Sequence, residues 1–280
     1  MTDHSQRDEL AQAIAQRIDQ QVDALSQAWA ASTPVKHVVI DDLLPVDTAG
    51  QIAASFPDPQ TLMQRKSLKE RKRVGIDVSH YDPIIGDILF AFHQPCVIAA
   101  VTRVTGLLEM TADPTLYASG LSVMGQGDFL NPHKDNSHDG DRQKYRVLNL
   151  LYYLCDDWSE SAGGNLELWN DTVTRNTTVV SGFNRLVLMG TDDTSWHSVS
   201  QVTVDRPRRC VSNYYFSDKP LCDHDYSHVT TFAGRPEETI KRQVLKVDSA
   251  VLNTVGKMFP SLTKHTKHRI KDDQESDQHS

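Results

Sequence analysis

The stretch Gly127-Asp128-Phe129-Leu130-Asn131-Pro132-His133-Lys134-Asp135-Asn136 places an imidazole and a carboxylate two positions apart on an extended segment. Side chains at i and i+2 leave a strand on the same face, so His133 and Asp135 can hold one metal ion together. A second imidazole follows 64 residues later, His197 in Thr194-Ser195-Trp196-His197-Ser198-Val199. Two imidazoles and a carboxylate occupy three positions around Fe(II) and leave the other three for substrate, cosubstrate and O2. If the cosubstrate is an α-ketoacid, its far carboxylate needs a cation, and arginine serves best because its planar fork binds carboxylate bidentately. Arg208 and Arg209 stand 11 and 12 residues past His197 in Arg208-Arg209-Cys210-Val211-Ser212-Asn213-Tyr214-Tyr215-Phe216. With the even face inward Arg208 points at the cosubstrate; in the opposite register Arg209 does. Arg208 is the preferred candidate and the register stays open.

These residues need a scaffold, and from Leu116 onward the chain reads as one. Strand-like runs at 121–124, 129–130, 146–154, 165–169, 177–180, 184–189, 198–204 and 210–216 alternate with turn signals such as Gly125-Gln126-Gly127-Asp128 and Ser161-Ala162-Gly163-Gly164. Eight short strands at this spacing predict a double-sheet barrel, a jelly roll of the kind that includes cupins, whose open mouth can seat a metal. Helices flank it. Leu10, Ile14, Ile18, Val22, Leu25 and Trp29 recur at helical steps over 7–31, and Ile240, Val244, Val247, Val251 and Val255 do so over 236–259. A strand is expected over 35–44, a short helix over 48–56 and a helical stretch over 84–104.

Other clusters draw blander readings. Six of the nine residues from Arg65 to Arg73 are basic, which reads first as a solvated loop or helix face and second as a patch for an anionic substrate or partner. His80-Tyr81-Asp82 repeats the His-x-Asp pattern at a loop-to-helix junction and is assigned a structural role. His138 and the group His224, Asp225, His228 are rival donors, set aside as iron ligands because they lie outside the predicted strands. His265, His268 and His279 belong to a polar tail expected to be disordered. Cys96, Cys155, Cys210 and Cys222 are scattered without a Cys-x-x-Cys pair, so buried free thiols are expected rather than a zinc knuckle or disulfide framework.

Composition narrows the function classes. In 280 residues, 29 basic side chains stand against 37 acidic ones, which argues against a general nucleic-acid binder. The polar, acidic start and the lack of any apolar run of roughly 20 residues lead to the expectation of a cytoplasmic protein without membrane contact.

The stretch from about Leu116 to Asp218 resembles the prolyl-hydroxylase branch of the 2-oxoglutarate and Fe(II)-dependent dioxygenases. Four motifs carry the resemblance in the family's order: Gly-Asp-Phe-Leu-x-Pro-His-x-Asp at 127–135; Arg146-Val-Leu-Asn-Leu-Leu-Tyr-Tyr-Leu154 with Asp157-Trp158 after it; Gly163-Gly164-Asn165-Leu166-Glu167-Leu168; and Phe183-Asn184-Arg185-Leu186-Val187-Leu188 leading to His197 and the Arg208 strand. The resemblance implies a jelly roll using Fe(II), 2-oxoglutarate and O2. It implies His133, Asp135 and His197 as catalytic iron ligands, Arg208 as the carboxylate partner, and Tyr153 as the tyrosine that in some members helps hold that carboxylate. Met124, Cys155 and Asn165 depart from residues frequent in relatives. Asp135 implies hydroxylation, because related halogenases carry a small residue there to admit halide.

Together these readings predict a mainly β protein with flanking helices. Its parts are an N-terminal amphipathic helix at 1–33, a dioxygenase jelly roll at 34–232, a C-terminal helix at 233–262 and a polar tail at 263–280. The expected reaction hydroxylates an unactivated C–H with release of succinate and CO2. The substrate is a prolyl residue in a protein or peptide, or alternatively a small molecule or glycan. A non-redox cupin-like ligand-binding module is the competing account. The 236–259 helix offers a face for a homodimer.

Overall fold

The computed structural model describes residues 5–75, 77–116, 119–239 and 242–245. The first apolar stripe folds as two helices where one was expected, α1 (Ser5–Asp19) and α2 (Val22–Ala31), with a turn at Gln20 and Gln21. The break lets each half lie along α5 (Pro95–Thr105), burying Leu10, Ile14 and Ile18 from one and Leu25 and Trp29 from the other. Each such apolar side chain contributes roughly 1.5–3 kcal/mol of burial. The expected helix over 84–104 is likewise two, α4 (Pro83–Ala91) and α5. Pro95 lacks the N–H to continue α4 and instead starts α5 at its first position, where no intrahelical donor is needed. At the head of α4, Asp82 Oδ1 accepts from the Ile84 N–H at 3.1 Å, so the His80 triplet ends in a helix cap and His80 itself is exposed. Between these helical pairs lie strand β1 (His37–Ile40) and helix α3 (Val46–Ala54).

The basic run forms neither loop nor helix. It is an antiparallel hairpin of β2 (Met63–Lys66) and β3 (Glu70–Gly75). After the short β4 (Thr111–Ala112) come β5 (Gly120–Met124), β6 (Phe129–Lys134), β7 (Tyr145–Tyr153), β8 (Leu166–Trp169), β9 (Asn176–Val179), β10 (Arg185–Gly190), β11 (His197–Val199), β12 (Arg208–Ser217) and β13 (Thr231–Phe232). Every strand-like run read from the sequence has its strand in this series. The thirteen strands of the described residues make one curled antiparallel sheet in the order β1-β10-β7-β12-β5-β3-β6-β11-β8-β9, with β2, β13 and β4 added at β3, β6 and β12.

Strand alternation sorts the sheet into two environments. Leu150 and Tyr152 of β7, Leu186 and Leu188 of β10, and Val211 and Tyr215 of β12 pack beneath the helices. Their neighbours Tyr153, Val187, Met189 and Cys210 face the interior of the curl with Met124, Leu166 and Leu168. The protein is thus a mixed α+β fold whose curled sheet, of double-stranded β-helix type, is backed by helices on one side and open to chemistry on the other. Among the described residues no single helix is long and apolar enough to cross a membrane. Of the helix expected over 236–259, positions 236–239 and 242–245 are described, the latter four as helix, and the rest lies outside the described residues, as does the 263–280 tail.

Candidate metal centre

His133 is the penultimate residue of β6, and its cross-strand partner on β11 is His197. Pairing therefore sets the two imidazoles side by side, with ring centroids 4.1 Å apart. Asp135 follows immediately after β6. Its Oδ1 lies 3.6 Å from His133 Nε2 and its Oδ2 3.6 Å from His197 Nε2. The three residues form a His-x-Asp…His facial triad of the kind typical of Fe(II) and 2-oxoglutarate-dependent oxygenases, with ligand atoms within 4.8 Å of one another.

The protonation pattern suits a cation. His133 Nδ1 is 3.0 Å from the Asn131 carbonyl and His197 Nδ1 is 3.1 Å from the Ser195 carbonyl. A carbonyl only accepts, so each Nδ1 carries the proton and each Nε2 turns a lone pair toward Asp135. Burial, together with the neighbouring His133, pushes His197 down to about 4 although Asp135 pulls the other way, so its ring is neutral near pH 7. Burial would raise the Asp135 carboxyl, but the Arg146 guanidinium first and then the two imidazoles hold it well below the usual carboxylate range. Two lone pairs and an ionised carboxylate converging in a buried pocket are a donor set that fits a divalent ion.

In the sequence Arg146 only opens the apolar motif 146–154, with nothing to mark its role. It is 2 % exposed, its Nη1 lies 3.2 Å from Asp135 Oδ2, and its Nη2 donates to Asn136 Oδ1 at 2.8 Å. Asn149 Nδ2 donates to the same Asp135 oxygen at 2.8 Å. The guanidinium also stacks over the Tyr214 ring at 4.2 Å. The available signal was a lone charge inside the apolar run 146–154, since a buried charge requires a partner. Phe232 was missed as well; on β13 it pairs with His133 and stacks on its ring at 5.2 Å.

Of the two arginines at the head of β12, Arg208 is 3 % exposed and faces the interior, whereas Arg209 is only partly buried. Arg208 Nε donates to the Gly164 carbonyl at 2.5 Å and to Ser181 Oγ at 3.2 Å, which anchors the inner end of the guanidinium. The outer end lies over the Tyr153 ring, 4.8 Å from its centroid, with Nη1 3.8 Å from Met124 Sδ. The Met124 departure thus bears on the arginine pocket. Tyr153 Oη is buried and makes no hydrogen bond of ordinary geometry, its polar neighbour being Ser181. A pocket with a part-committed guanidinium and an orphaned phenol fits a carboxylate, which accepts from both.

Gly163 and Gly164 make this pocket possible. Both adopt left-handed φ, +66° and +63°, and a Cβ on Gly164 would come within 3.0 Å of Arg208 Cδ. Asn165 secures the turn by donating to the Glu160 carbonyl at 2.8 Å and accepting from the Ser181 N–H at 3.3 Å. The rival donors go elsewhere. His138 bonds Ser137 Oγ, Asp225 accepts from Tyr145 Oη, and His224 faces Asp193.

Comparison with known proteins agrees with this geometry. The family described as the 2OG-Fe(II) oxygenase superfamily matches residues 119–217. No curated protein matches the chain. Among solved structures it is similar to a prolyl-4-hydroxylase of Pseudomonas putida, at 18 % identity and TM-score 0.52, over 69 % of this chain and 98 % of that one. A prolyl 4-hydroxylase of Phytophthora capsici aligns at 17 % identity and TM-score 0.53, over 88 % of this chain and 78 % of the other. SnoN, an α-ketoglutarate-dependent epimerase from nogalamycin biosynthesis, aligns at 13 % identity and TM-score 0.50, over 79 % and 87 %. At these identities the likeness is one of fold.

Proposed function

We propose that the chain, whose residues 119–217 match the 2OG-Fe(II) oxygenase superfamily, is a hydroxylase in which His133, Asp135 and His197 hold Fe(II), Arg208 and Tyr153 take the far carboxylate of 2-oxoglutarate, and the substrate is a prolyl residue in a protein or peptide. The observation that carries the metal assignment is the convergence of two bare Nε2 atoms on an ionised Asp135. The bound iron, 2-oxoglutarate and O2 would supply the oxidising power that replaces a C–H hydrogen by hydroxyl, with succinate and CO2 as coproducts.

The chain's own residues perform the rest. Arg146 and Asn149 keep Asp135 ionised and fix its Oδ2, so the carboxylate is presented in one orientation. The Asn131 and Ser195 carbonyls fix both tautomers. Gly164 and Ser181 hold Arg208 by its Nε, leaving the outer nitrogens for the carboxylate. Phe232 covers His133 and excludes water from that side. The catalytic unit in this reading is 34–232, with α1 and α2 of the preceding segment packed on the helices and strand behind it.

The prolyl substrate is supported by the fold shared with prolyl 4-hydroxylases from two organisms. An anionic small molecule gains less support from the basic run, because Arg71 and Arg73 pair with Asp128 while Lys72 and Arg65 pair with Glu70. The first test is anaerobic titration with Fe(II) and 2-oxoglutarate, followed by the visible metal-to-ligand charge-transfer band of the chelate. Wild type should develop the band and His197→Ala should not. A folded, iron-binding protein without the band would overturn the reading in favour of a non-redox metal barrel. Given the band, a gain of one oxygen atom per succinate on a prolyl peptide identifies the substrate, and succinate release without peptide oxidation rejects it.

A further inference from the structure

Apart from the facial triad, a different set of ligating atoms converges near the surface. The loop joining β10 to β11 carries Asp193, and the segment between β12 and β13 carries Cys222 and His224. Asp193 Oδ2 lies 3.1 Å from His224 Nε2, Cys222 Sγ lies 3.9 Å from the same nitrogen, and the three ligand atoms are within 4.8 Å of one another. We infer that Asp193, Cys222 and His224 form a second metal site, for a borderline-soft divalent ion of the zinc type, distinct from the oxygenase centre.

Hydrogen bonds from a protonated His224 would account for its contacts with Asp193 and Asp223, and the Cys222 thiol donates to the His224 carbonyl at 3.3 Å, but neither accounts for the convergence of all three ligand atoms. His224 Nδ1 faces Asp223 Oδ1 at 3.3 Å. An imidazole that donates there through Nδ1–H turns a lone pair on Nε2 toward a carboxylate oxygen. That juxtaposition requires a proton or a cation between the two. The Cys222 sulfur 3.9 Å from the same nitrogen favours the cation, because on giving up its proton to bind metal it adds a soft ligand. A carboxylate on the far nitrogen of a ligating histidine is the usual outer support of such sites. In addition, Asp193 Oδ1 is buried and has no hydrogen-bond partner.

The dimensions agree. With bonds of about 2.0–2.1 Å to nitrogen or oxygen and about 2.3 Å to sulfur, tetrahedral ligands stand about 3.3 Å apart for an N/O pair and about 3.6 Å for an N/S pair. The observed N···O separation of 3.1 Å is slightly shorter than its value and the N···S separation of 3.9 Å slightly longer, each within about 0.3 Å. The thiol excludes the hard ions, Mg2+ and Ca2+, which take oxygen ligands. Three protein ligands leave a fourth position open to the solvent that reaches His224. The ion would tie the loop that leads into His197 to the segment that leads into Phe232. The Asp193 carbonyl already accepts from Lys134 Nζ at 2.7 Å, which links the same loop to β6.

The test uses the full chain, reduced and anaerobic, titrated with Co2+. The triad contains no sulfur, so a thiolate-to-cobalt charge-transfer band in the near ultraviolet reports this site alone. The band should reach the same final intensity in wild type, where the triad takes its own share of Co2+, and in a His133→Ala/Asp135→Ala variant, where it should be complete at one equivalent, and it should be bleached by Zn2+. It should vanish in Cys222→Ser and in His224→Ala, which change partly or well exposed side chains and leave the core intact. Zn2+ should also slow alkylation of Cys222 in wild type by at least about tenfold, read by peptide mass. Absence of the band in wild type, its survival in Cys222→Ser, or an unchanged alkylation rate would each overturn the assignment, whatever the fate of the triad.

Discussion

Burying a carboxylate costs several kcal/mol unless it is paired, and at Asp135 the Arg146 guanidinium and the Asn149 amide meet that cost. Removing one partner of such a pair strands the other. Arg146→Met is therefore expected to destabilise the metal-free protein by about 3–5 kcal/mol. A divalent ion replaces the lost positive charge, so Mn2+ should restore more of the melting temperature in this variant than it adds to wild type; equal shifts would disprove the coupling. Asn149→Ala removes only an orienting hydrogen bond. It should weaken metal binding by about 10–100-fold with little change in fold stability, as measured by metal titration and circular dichroism. At the arginine pocket, Arg208→Lys exchanges a planar fork for a point charge. The concentration of 2-oxoglutarate needed to saturate the charge-transfer band should rise at least about tenfold while Fe(II) affinity stays unchanged.

At the scale of elements, two turns decide the geometry. Gly164 lies under Arg208, and a Cβ there would meet Arg208 Cδ, Val202 Cγ2 and Trp158 Cζ2 at 3.0–3.2 Å in a strained left-handed backbone. Gly164→Ala should therefore reproduce the Arg208 phenotype, weak 2-oxoglutarate binding with intact metal binding, although the charge is untouched. The β2–β3 hairpin illustrates a limit of reading by hydrophobic period, because β3 turns charged residues to both of its faces. Arg71 and Arg73 turn to Asp128, whereas Lys72 turns with Glu70 to the other face, where burial acts against the Glu70 carboxyl but Lys72, Arg65 and His133 hold it low. A run that reads as a solvated surface is thus a strand addition pinned at both faces, and Glu70 and Arg71 pair with Leu130 and Phe129 of β6. Likewise Pro95 and the turn at Gln20 and Gln21 divide expected single helices, so that α1 packs on α4 and α5 while α2 packs on α5 and β1.

For the molecule as a whole, buried histidines couple stability to acidity. Burial, with repulsion from Lys134, lowers His228 to about 4 against the attraction of Asp193 and Asp135, and its Nε2 has no hydrogen-bond partner. A folded-state value below the unfolded one of about 6.5 means that the unfolded chain binds the proton first. The stability from this residue is complete above pH 6.5 and is lost as pH falls from 6.5 toward 4. Asp135 adds a loss only below the ordinary carboxylate range. The metal-free protein should melt at a constant temperature from pH 8 to 7 and at falling temperatures from 6.5 to 4. His228→Phe, which cannot take up the proton, should recover on the order of 2 kcal/mol of that fall; an unchanged pH profile would show that His228 does not carry it.

Local spacing was legible in the chain because short-range chemistry is written along it. The i, i+2 pair at His133 and Asp135, the alternation of eight strands and the ordered motifs from 127 to 216 sufficed for the fold class and the kind of reaction. What depends on approach across the sheet was not. The register of β12 decided that Arg208, not Arg209, is the buried arginine, and the packing of β7 made Arg146 the partner of Asp135. Cys155 and Cys210 are buried thiols as expected, but Cys96 and Cys222 are partly exposed, and Cys222 meets Asp193 and His224 only because two loops converge. A linear pattern names the ionisable groups. Their charge, partners and reach depend on burial and distance, and those quantities come into being only when the strands close on one another.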